Sequence, residues 1–388
     1  MYVNLPLASL GAGFLLLGHA AAAAASLPGA VRLATRSGPV SDSDPGSVSA
    51  SSPLSTPAPT PEVEHPMIEY IDDSNLTALA DPFMPPAIDG VIKLPSFRPE
   101  GVRFAAGMSS RAVPRDSISF NLVAPKLRPV EPGDRMFDPY RMMGQVRRRN
   151  DKGEVIYCTG SLVGTRLFLT ARHCVPPEPR SKTLEFVPGY DGSRKATDPP
   201  LPWPFGRPFR ATTCYGIHTN DPVASGAAVI SARDYVVCVL DEPIGVDAGY
   251  LSTIAAEPNP QAREKVYTSR AWWSTGYPGN MEDGKVLIQA EGVRVGRVHV
   301  TGGGFNRIET PPYPDYGWSG GPLFGVNQEN EEVEIIGVVS SYLTASSASG
   351  SSFVSALHMG GPKLTRLIVW ARCTWPGKPD ECPVTPSP

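Results

Sequence analysis

Short β-prone runs recur along the chain from Gly133 onward, and clusters of Gly, Pro, Asn and Asp separate them. No amphipathic helical pattern lies between these runs. Many short strands with turn signals and no interleaved helices are typical of an antiparallel barrel or sandwich. The runs are RMMGQVRR, EVIYCTGSLVG, RLFLTAR, DYVVCVL, KVLIQAEGVRVGRVHV and VEIIGVVSSYL.

One segment near the end of the chain has a different period. In Pro362 to Arg372 the apolar residues recur at helical spacing, at Leu364, Leu367, Ile368, Trp370 and Ala371. This pattern predicts a single C-terminal helix.

The first 26 residues have the pattern of a secretory signal peptide. An apolar stretch from Leu5 to Gly18 precedes an alanine run, Ala20 to Ala25, which offers A-x-A cleavage sites. The alternative is an uncleaved membrane anchor. Cleavage predicts a secreted, extracellular protein with no membrane attachment, in a compartment where six cysteines can form disulfides.

Residues 27–128 are interpreted as a pro-region or spacer, and 129–388 as the folded domain. Half of the thirty residues from Ser37 to Pro66 are Ser or Pro, so this part buries too little apolar surface to fold and is predicted to be disordered. Asn75-Leu76-Thr77 is a glycosylation sequon with Asn75 as the acceptor. A small independent domain within 27–128 is the alternative.

Charge and composition narrow the function classes. The formal net charge of −3 does not favour a nucleic-acid partner. The chain has no C-x-x-C pair and its histidines are scattered, so neither a metal nor a cofactor is expected.

A glycine-rich turn carries the candidate nucleophile. Ser319 stands in GWSGGP, between Gly317 and Gly320. An activated serine needs a tight turn and backbone N–H groups aimed at the developing oxyanion, which glycines leave accessible. The alternative is an ordinary glycine-rich hairpin.

The candidate base is His173, which follows the strand-like run RLFLTA and precedes Cys174. Cys158 lies sixteen residues before Cys174, so two strands joined by a turn would bring these cysteines together. A Cys158–Cys174 disulfide would fix the loop that carries the histidine.

The candidate acid is Asp234, at the start of the apolar run DYVVCVL. Burying a carboxylate there is costly unless a group such as an imidazole N–H uses it. Asp241, at the other end of the run, is interpreted as a solvated turn residue.

These segments, in this order, resemble the chymotrypsin-like serine proteases. The resemblance rests on CTGSLVGTRLFLTARHCV, DYVVCVL, STGYPGN and GWSGGPLFGV, and is greatest to the glutamyl-endopeptidase (V8-like) branch and its secreted trypsin-like relatives. His173, Asp234 and Ser319 occur in the family's order, 61 and then 85 residues apart.

The resemblance implies a fold and a set of roles. The fold would be all-β, with two antiparallel six-stranded barrels and the active site between them. His173 would be general base and then acid, Asp234 would orient it, and Ser319 would be the nucleophile. The N–H groups of Gly317 and Ser319 would form the oxyanion hole. The strand at Ser340, with Ser341 and Tyr342, would pair with the substrate, and Tyr313 would lie at the primary pocket.

Four positions depart from the family. Trp318 stands where trypsin-type enzymes have an aspartate, so activation by a new N-terminus is not expected. Val339 stands where glutamate-specific enzymes have a histidine. Tyr313 and Pro314 stand where the floor of the primary pocket is expected, and they do not match a known type of pocket. Arg172 stands where a small residue is expected. It would impair the triad if it approached Asp234, and would not if a widened loop let it reach solvent.

Four cysteines remain to be paired. Cys373 and Cys382 flank a short loop that closes easily, which leaves Cys214 with Cys238, although four cysteines allow three pairings.

The leading hypothesis is a secreted serine endopeptidase made with a pro-region, monomeric, acting on a peptide or protein substrate. The alternatives are a catalytically silent homologue that binds peptides or proteins in the same cleft, and an interaction protein whose Ser/Pro-rich arm is the active part.

Overall fold

The computed structural model describes residues 68–105, 124–149, 152–175, 183–218, 232–257, 259–301, 304–313, 316–327, 330–347 and 350–383. The predicted signal peptide and the Ser/Pro-rich segment lie outside these ranges. The described residues belong to one compact unit. No helix among them combines the length and apolar character needed to cross a bilayer.

Six antiparallel strands form the closed first barrel, in the order β8-β7-β4-β5-β6-β9, and a further pairing of β9 with β8 closes it. Consecutive strands are neighbours in this sheet except at one connection, from β6 to β7, which crosses over so that β7 pairs with β4 and β6 with β9. A seventh strand, β1, pairs in parallel with β8. The strands are β1 (Ile68–Asp72), β4 (Met143–Arg149), β5 (Val155–Leu162), β6 (Leu167–Thr170), β7 (Leu184–Pro188), β8 (Phe209–His218) and β9 (Val236–Leu240).

The second sheet has ten strands, and no pairing among the described residues closes it into a barrel. The order is β13-β14-β17-β16-β15-β11-β12-β3, with β10 paired to both β16 and β2. The expected count of six is exceeded, and two of the ten strands, β2 and β3, join from the early part of the chain. The strands are β2 (Val91–Leu94), β3 (Lys126–Pro129), β10 (Ser252–Ala256), β11 (Trp272–Gly276), β12 (Ile288–Val293), β13 (Arg297–Thr301), β14 (Phe305–Thr310), β15 (Pro322–Val326), β16 (Val333–Ser347) and β17 (Gly350–Gly360).

The helices are few and short, which confirms the predicted all-β class. The predicted C-terminal helix runs from Pro362 to Thr374, and the apolar face read from the sequence is the buried one. The helices are α1 (Asp73–Ala80), α2 (Gly245–Ala248), α3 (Pro260–Arg263) and α4 (Pro362–Thr374), with 3₁₀ turns at Asp81–Phe83, Asp134–Met136, Tyr140–Met142, Arg172–Cys174 and Glu282–Gly284 and a π turn at Glu264–Thr268.

Residues 68–105, within the predicted pro-region, pack into the fold rather than forming a domain of their own. Helix α1 lies on α4, where Lys363 forms an ion pair with Asp73 and donates to Thr77 Oγ1 at 3.1 Å. Leu76 is fully buried in the main core. The predicted boundary at residue 129 stays a prediction, and strands before and after it belong to the same sheets.

Further along this segment, buried polar contacts fix the chain. Arg98 Nε lies 3.0 Å from the buried carboxylate of Asp138. The fully buried Arg372 of α4 donates to the Pro95 carbonyl at 2.8 Å and to the Leu251 carbonyl at 3.0 Å. These contacts hold the segment that follows β2 against Asp138 and helix α4.

Candidate active site

The structure brings His173 and Asp234 together at the ends of two paired strands. His173 lies in the 3₁₀ turn that follows β6, and Asp234 comes just before β9. Strands β6 and β9 are antiparallel, with Thr170 opposite Val236, so both residues lie at the same edge. The His173 backbone N–H donates to Asp234 Oδ1 at 3.0 Å, and His173 Nδ1 lies 2.7 Å from Oδ2.

Asp234 is more buried than His173, as is expected of an acid that orients a solvent-accessible base. Asp234 is 13% exposed and His173 is 46% exposed. Burial by itself raises the pKa of Asp234. The hydrogen bonds and charge of His173, together with the hydroxyl of Ser340, outweigh burial and lower that pKa below its ordinary value. The carboxylate therefore stays ionised at neutral pH.

Ser340 contacts the same carboxylate, a role that its place in the sequence did not suggest. Its Oγ donates to Asp234 Oδ2 at 2.5 Å. The sequence places Ser340 on the substrate strand, and the structure adds that this strand, β16, also helps to orient Asp234. Its neighbours Ser341 and Tyr342 are exposed.

Ser319 lies half-buried on a turn that only glycine permits. The φ angles of Gly317 and Gly320 are +94° and +81°, in the left-handed region. A Cβ on Gly320 would lie 2.2 Å from the carbonyl oxygen of Thr159, and one on Gly317 would lie 2.2 Å from that of Tyr277. Any larger residue at either position would displace this backbone.

Hydrogen bonds hold the turn on two sides. On one side, Thr159 of β5 donates its N–H to the Ser319 carbonyl at 2.8 Å and its hydroxyl to the Gly317 carbonyl at 2.8 Å. On the other side, Gly320 donates to the Val339 carbonyl of β16 at 2.7 Å. No described residue accepts a hydrogen bond from the N–H of Gly317 or Ser319. These two N–H groups are the ones that the sequence assigns to the oxyanion hole.

A disulfide joins the histidine turn (Arg172–Cys174) to β5, the strand whose Thr159 is hydrogen-bonded to the serine turn (Gly317–Gly320). Cys158 and Cys174 are bonded, with their Cα atoms 6.1 Å apart, as the sequence predicts. Cys174 Sγ lies 3.7 Å from the Ser319 carbonyl oxygen, which brings Ser319 alongside the segment that carries His173. Although the two sulfurs lie near the His173 imidazole, both are committed to the disulfide, so this cluster does not suit a metal ion.

Arg172 does not contact Asp234. The atoms that act on Asp234 belong to His173 and Ser340, and the Arg172 side chain is only partly buried. No described carboxylate lies within ion-pair distance of its guanidinium. Of the two arrangements considered for this arginine, the structure has the one in which it stays apart from Asp234.

Aromatic side chains fill the region below the serine turn. Trp318 is fully buried and its Nε1 donates to Ser274 Oγ at 3.1 Å. The ring of Tyr313 packs edge-on against it, with ring centroids 5.3 Å apart. Burial raises the pKa of the Tyr313 hydroxyl well above its ordinary value.

His358, which the sequence analysis overlooked, lies in the same region. It stands opposite Val339 in the pairing of β16 with β17, and its Nε2 lies 3.1 Å from the Tyr313 hydroxyl and 3.0 Å from Thr310 Oγ1. Complete burial lowers the pKa of His358 to about 3, so the imidazole is neutral. Only the pairing register of the β16–β17 hairpin reveals this position.

The remaining predicted sites lie away from the triad. Cys214 is bonded to Cys238 between β8 and β9, and Cys373 to Cys382 after α4, so the predicted pairing of all six cysteines is confirmed. Asn75 is exposed on α1, and its glycosylation stays a prediction.

No protein-family model and no curated protein matches the chain. Solved structures with a similar fold include three proteases. A Glu endopeptidase in complex with MPD has a TM-score of 0.42 and 18% identity, over 64% of this chain and 97% of that one. The protease Anisep from Arthrobacter nicotinovorans has a TM-score of 0.38 and 16% identity, over 57% and 90% of the two chains. A thermostable serine protease, AL20, from an extremophilic microorganism has a TM-score of 0.40 and 17% identity, over 61% and 98%.

Proposed function

We propose that this chain is a secreted serine endopeptidase that hydrolyses peptide bonds through an acyl-enzyme on Ser319. One observation carries the proposal. A largely buried, ionised Asp234 is held by both the backbone and the imidazole of His173, and the carbonyl oxygen of Ser319, on a glycine-dependent turn, lies 3.7 Å from Sγ of Cys174, the residue after that histidine. Nucleophilic serine catalysis of the proposed kind requires a serine, a base and an orienting acid of these types.

In the acylation step the Ser319 hydroxyl attacks the substrate carbonyl carbon while His173 Nε2 accepts the hydroxyl proton. Asp234, bonded to Nδ1, fixes the tautomer with a free Nε2 and stabilises the imidazolium that forms. The oxyanion receives hydrogen bonds from the N–H groups of Gly317 and Ser319. His173 then gives its proton to the leaving amine as the C–N bond breaks. Water repeats the sequence in deacylation and restores Ser319.

Three disulfides support secretion, because such bonds form and persist in oxidising compartments. The predicted signal peptide agrees with this proposal. The substrate would be a peptide or protein that pairs with β16 at Ser340 and Tyr342.

A fluorophosphonate probe tests the proposal without knowledge of the substrate. We expect the full chain to be labelled and the Ser319→Ala variant not to be, with unfolding midpoints that agree. Hydrolysis of casein should fall by about 10⁴- to 10⁶-fold in that variant. A folded wild-type chain that takes no label would instead support a silent homologue that only binds peptides. A Ser319→Ala variant that is labelled equally would show that the reactive nucleophile is not Ser319 and would overturn the assignment.

A further inference from the structure

A cavity of about 340 Å³ opens on the first barrel, beside the serine turn. Strands β4, β5 and β7 form its floor, and the 3₁₀ turn Glu282–Gly284 contributes to its rim. Tyr157 of β5 lines the cavity and also adjoins the turn, since a Cβ on Gly317 would lie 2.8 Å from its ring. The Tyr157 ring therefore lies between the cavity and the serine turn.

The position of the cavity relative to the serine turn indicates which part of a bound substrate would lie next to the cavity. The turn is bonded to β16 through Gly320 and to β5 through Ser319 and Gly317. Under the proposed function the acyl part of the substrate pairs with β16. The chain beyond the scissile bond then leaves toward β5, and its side chains reach this cavity.

The charges in the cavity favour an anion. Arg147, Arg148, Arg149 and Lys285 line it, against Glu185 and Asp283. Lys285 is paired with Asp283 at 3.2 Å. Arg147 and Arg149 share the face of β4 that Tyr157 and Glu185 border, and no described carboxylate lies within 4.0 Å of either guanidinium, so two cations oppose the carboxylate of Glu185.

Contacts within the cavity hold one of these arginines in place. The Arg147 guanidinium lies 4.0 Å from the centroid of the Tyr190 ring, and its Nε donates to Gln145 Oε1 at 2.5 Å. Its terminal N–H groups remain for a ligand. Arg148 has a buried Nε without a partner, and Arg149 is exposed at the rim. An arginine fork held by stacking suits bidentate recognition of a carboxylate.

We propose that this cavity is a subsite for an acidic side chain, Asp or Glu, within the first three residues after the scissile bond. The inference rests on the proposed function and adds a preference on the leaving-group side of the cleft. Glu185 limits the strength of this preference, because its carboxylate repels the carboxylate of the substrate side chain.

Cleavage of a library of peptides from a digested proteome, with every cleavage site identified by mass spectrometry, tests this subsite. We expect acidic residues to be enriched at one of the three positions after the cut. Resynthesised pairs that differ only by Glu or Gln at that position should differ about two- to fivefold in kcat/KM, the size of a partly exposed charge pair. Raising the salt concentration should reduce the difference.

Three variants of the full chain are expected to change the Glu-over-Gln preference in different ways. Arg149→Gln should reduce the Glu-over-Gln preference, and Glu185→Gln should increase it. Arg297→Gln, an exposed arginine on β13 outside the cavity, should leave the preference unchanged. A peptide with a C-terminal amide and its free-acid form separate recognition of a side chain from recognition of the terminal carboxylate.

The outcomes distinguish the two proposals. Efficient cleavage with no acidic enrichment, or a preference that Arg149→Gln and Glu185→Gln do not move, overturns the subsite and leaves the protease. A preference that requires the free terminal carboxylate also overturns it. No cleavage of any peptide by the folded chain overturns the protease and, with it, the subsite.

Discussion

Helix α1 offers a matched pair of leucines that tests whether residues 68–105 belong to the working protein. Leu76 is fully buried, whereas Leu79, three residues later on the same helix, is 50% exposed. Truncating a buried leucine to alanine removes its packing and leaves a cavity, at a cost of about 2–5 kcal/mol in the free energy of unfolding. Truncating the exposed one should cost no more than about 0.5 kcal/mol.

The measurement is urea unfolding of the full chain, followed by tryptophan fluorescence, for Leu76→Ala and Leu79→Ala beside the wild type. The midpoint should fall clearly for Leu76→Ala and stay within error for Leu79→Ala, with equal slopes. Equal midpoints for the two variants would show that α1 is not packed on α4 in the native protein, and that this segment behaves as a removable pro-region.

Three further predictions concern the site and its surroundings. The depressed pKa of His358, about 3, means that the folded protein keeps it neutral while the unfolded chain protonates it below about 6.5. The contribution of neutral His358 to the free energy of unfolding is therefore complete above pH 6.5, and it falls toward pH 3 by up to about 1.4 kcal/mol per pH unit. His358→Gln should reduce the slope of the unfolding free energy against pH in this range. Ser340→Ala should lower kcat by about 10- to 100-fold with little change in KM, because Asp234 loses one charge-assisted hydrogen bond. Ser340→Thr should restore part of the lost kcat. An unchanged kcat in Ser340→Ala would contradict the contact. Arg172→Ala should alter kcat/KM by less than about tenfold, and a hundredfold gain would mean that the arginine suppresses His173.

Local patterns in the sequence determined the fold class and pointed to the candidate site residues. Short β-prone runs separated by clusters of Gly, Pro, Asn and Asp specified the strands, and the helical period at Leu364, Leu367 and Ile368 specified α4. The glycines around Ser319 were legible because only glycine accepts the φ values of Gly317 and Gly320.

Only the tertiary structure decided the contacts between distant segments. Strands β1 and β2, in a region dense with prolines, are stabilised by pairing with β8 and β10, and this long-range pairing leaves little trace in local propensity. The bond from Ser340 to Asp234 and the burial of His358 depend on strand register. Register is set by the whole core rather than by neighbouring residues, so these features could not be read from the sequence alone.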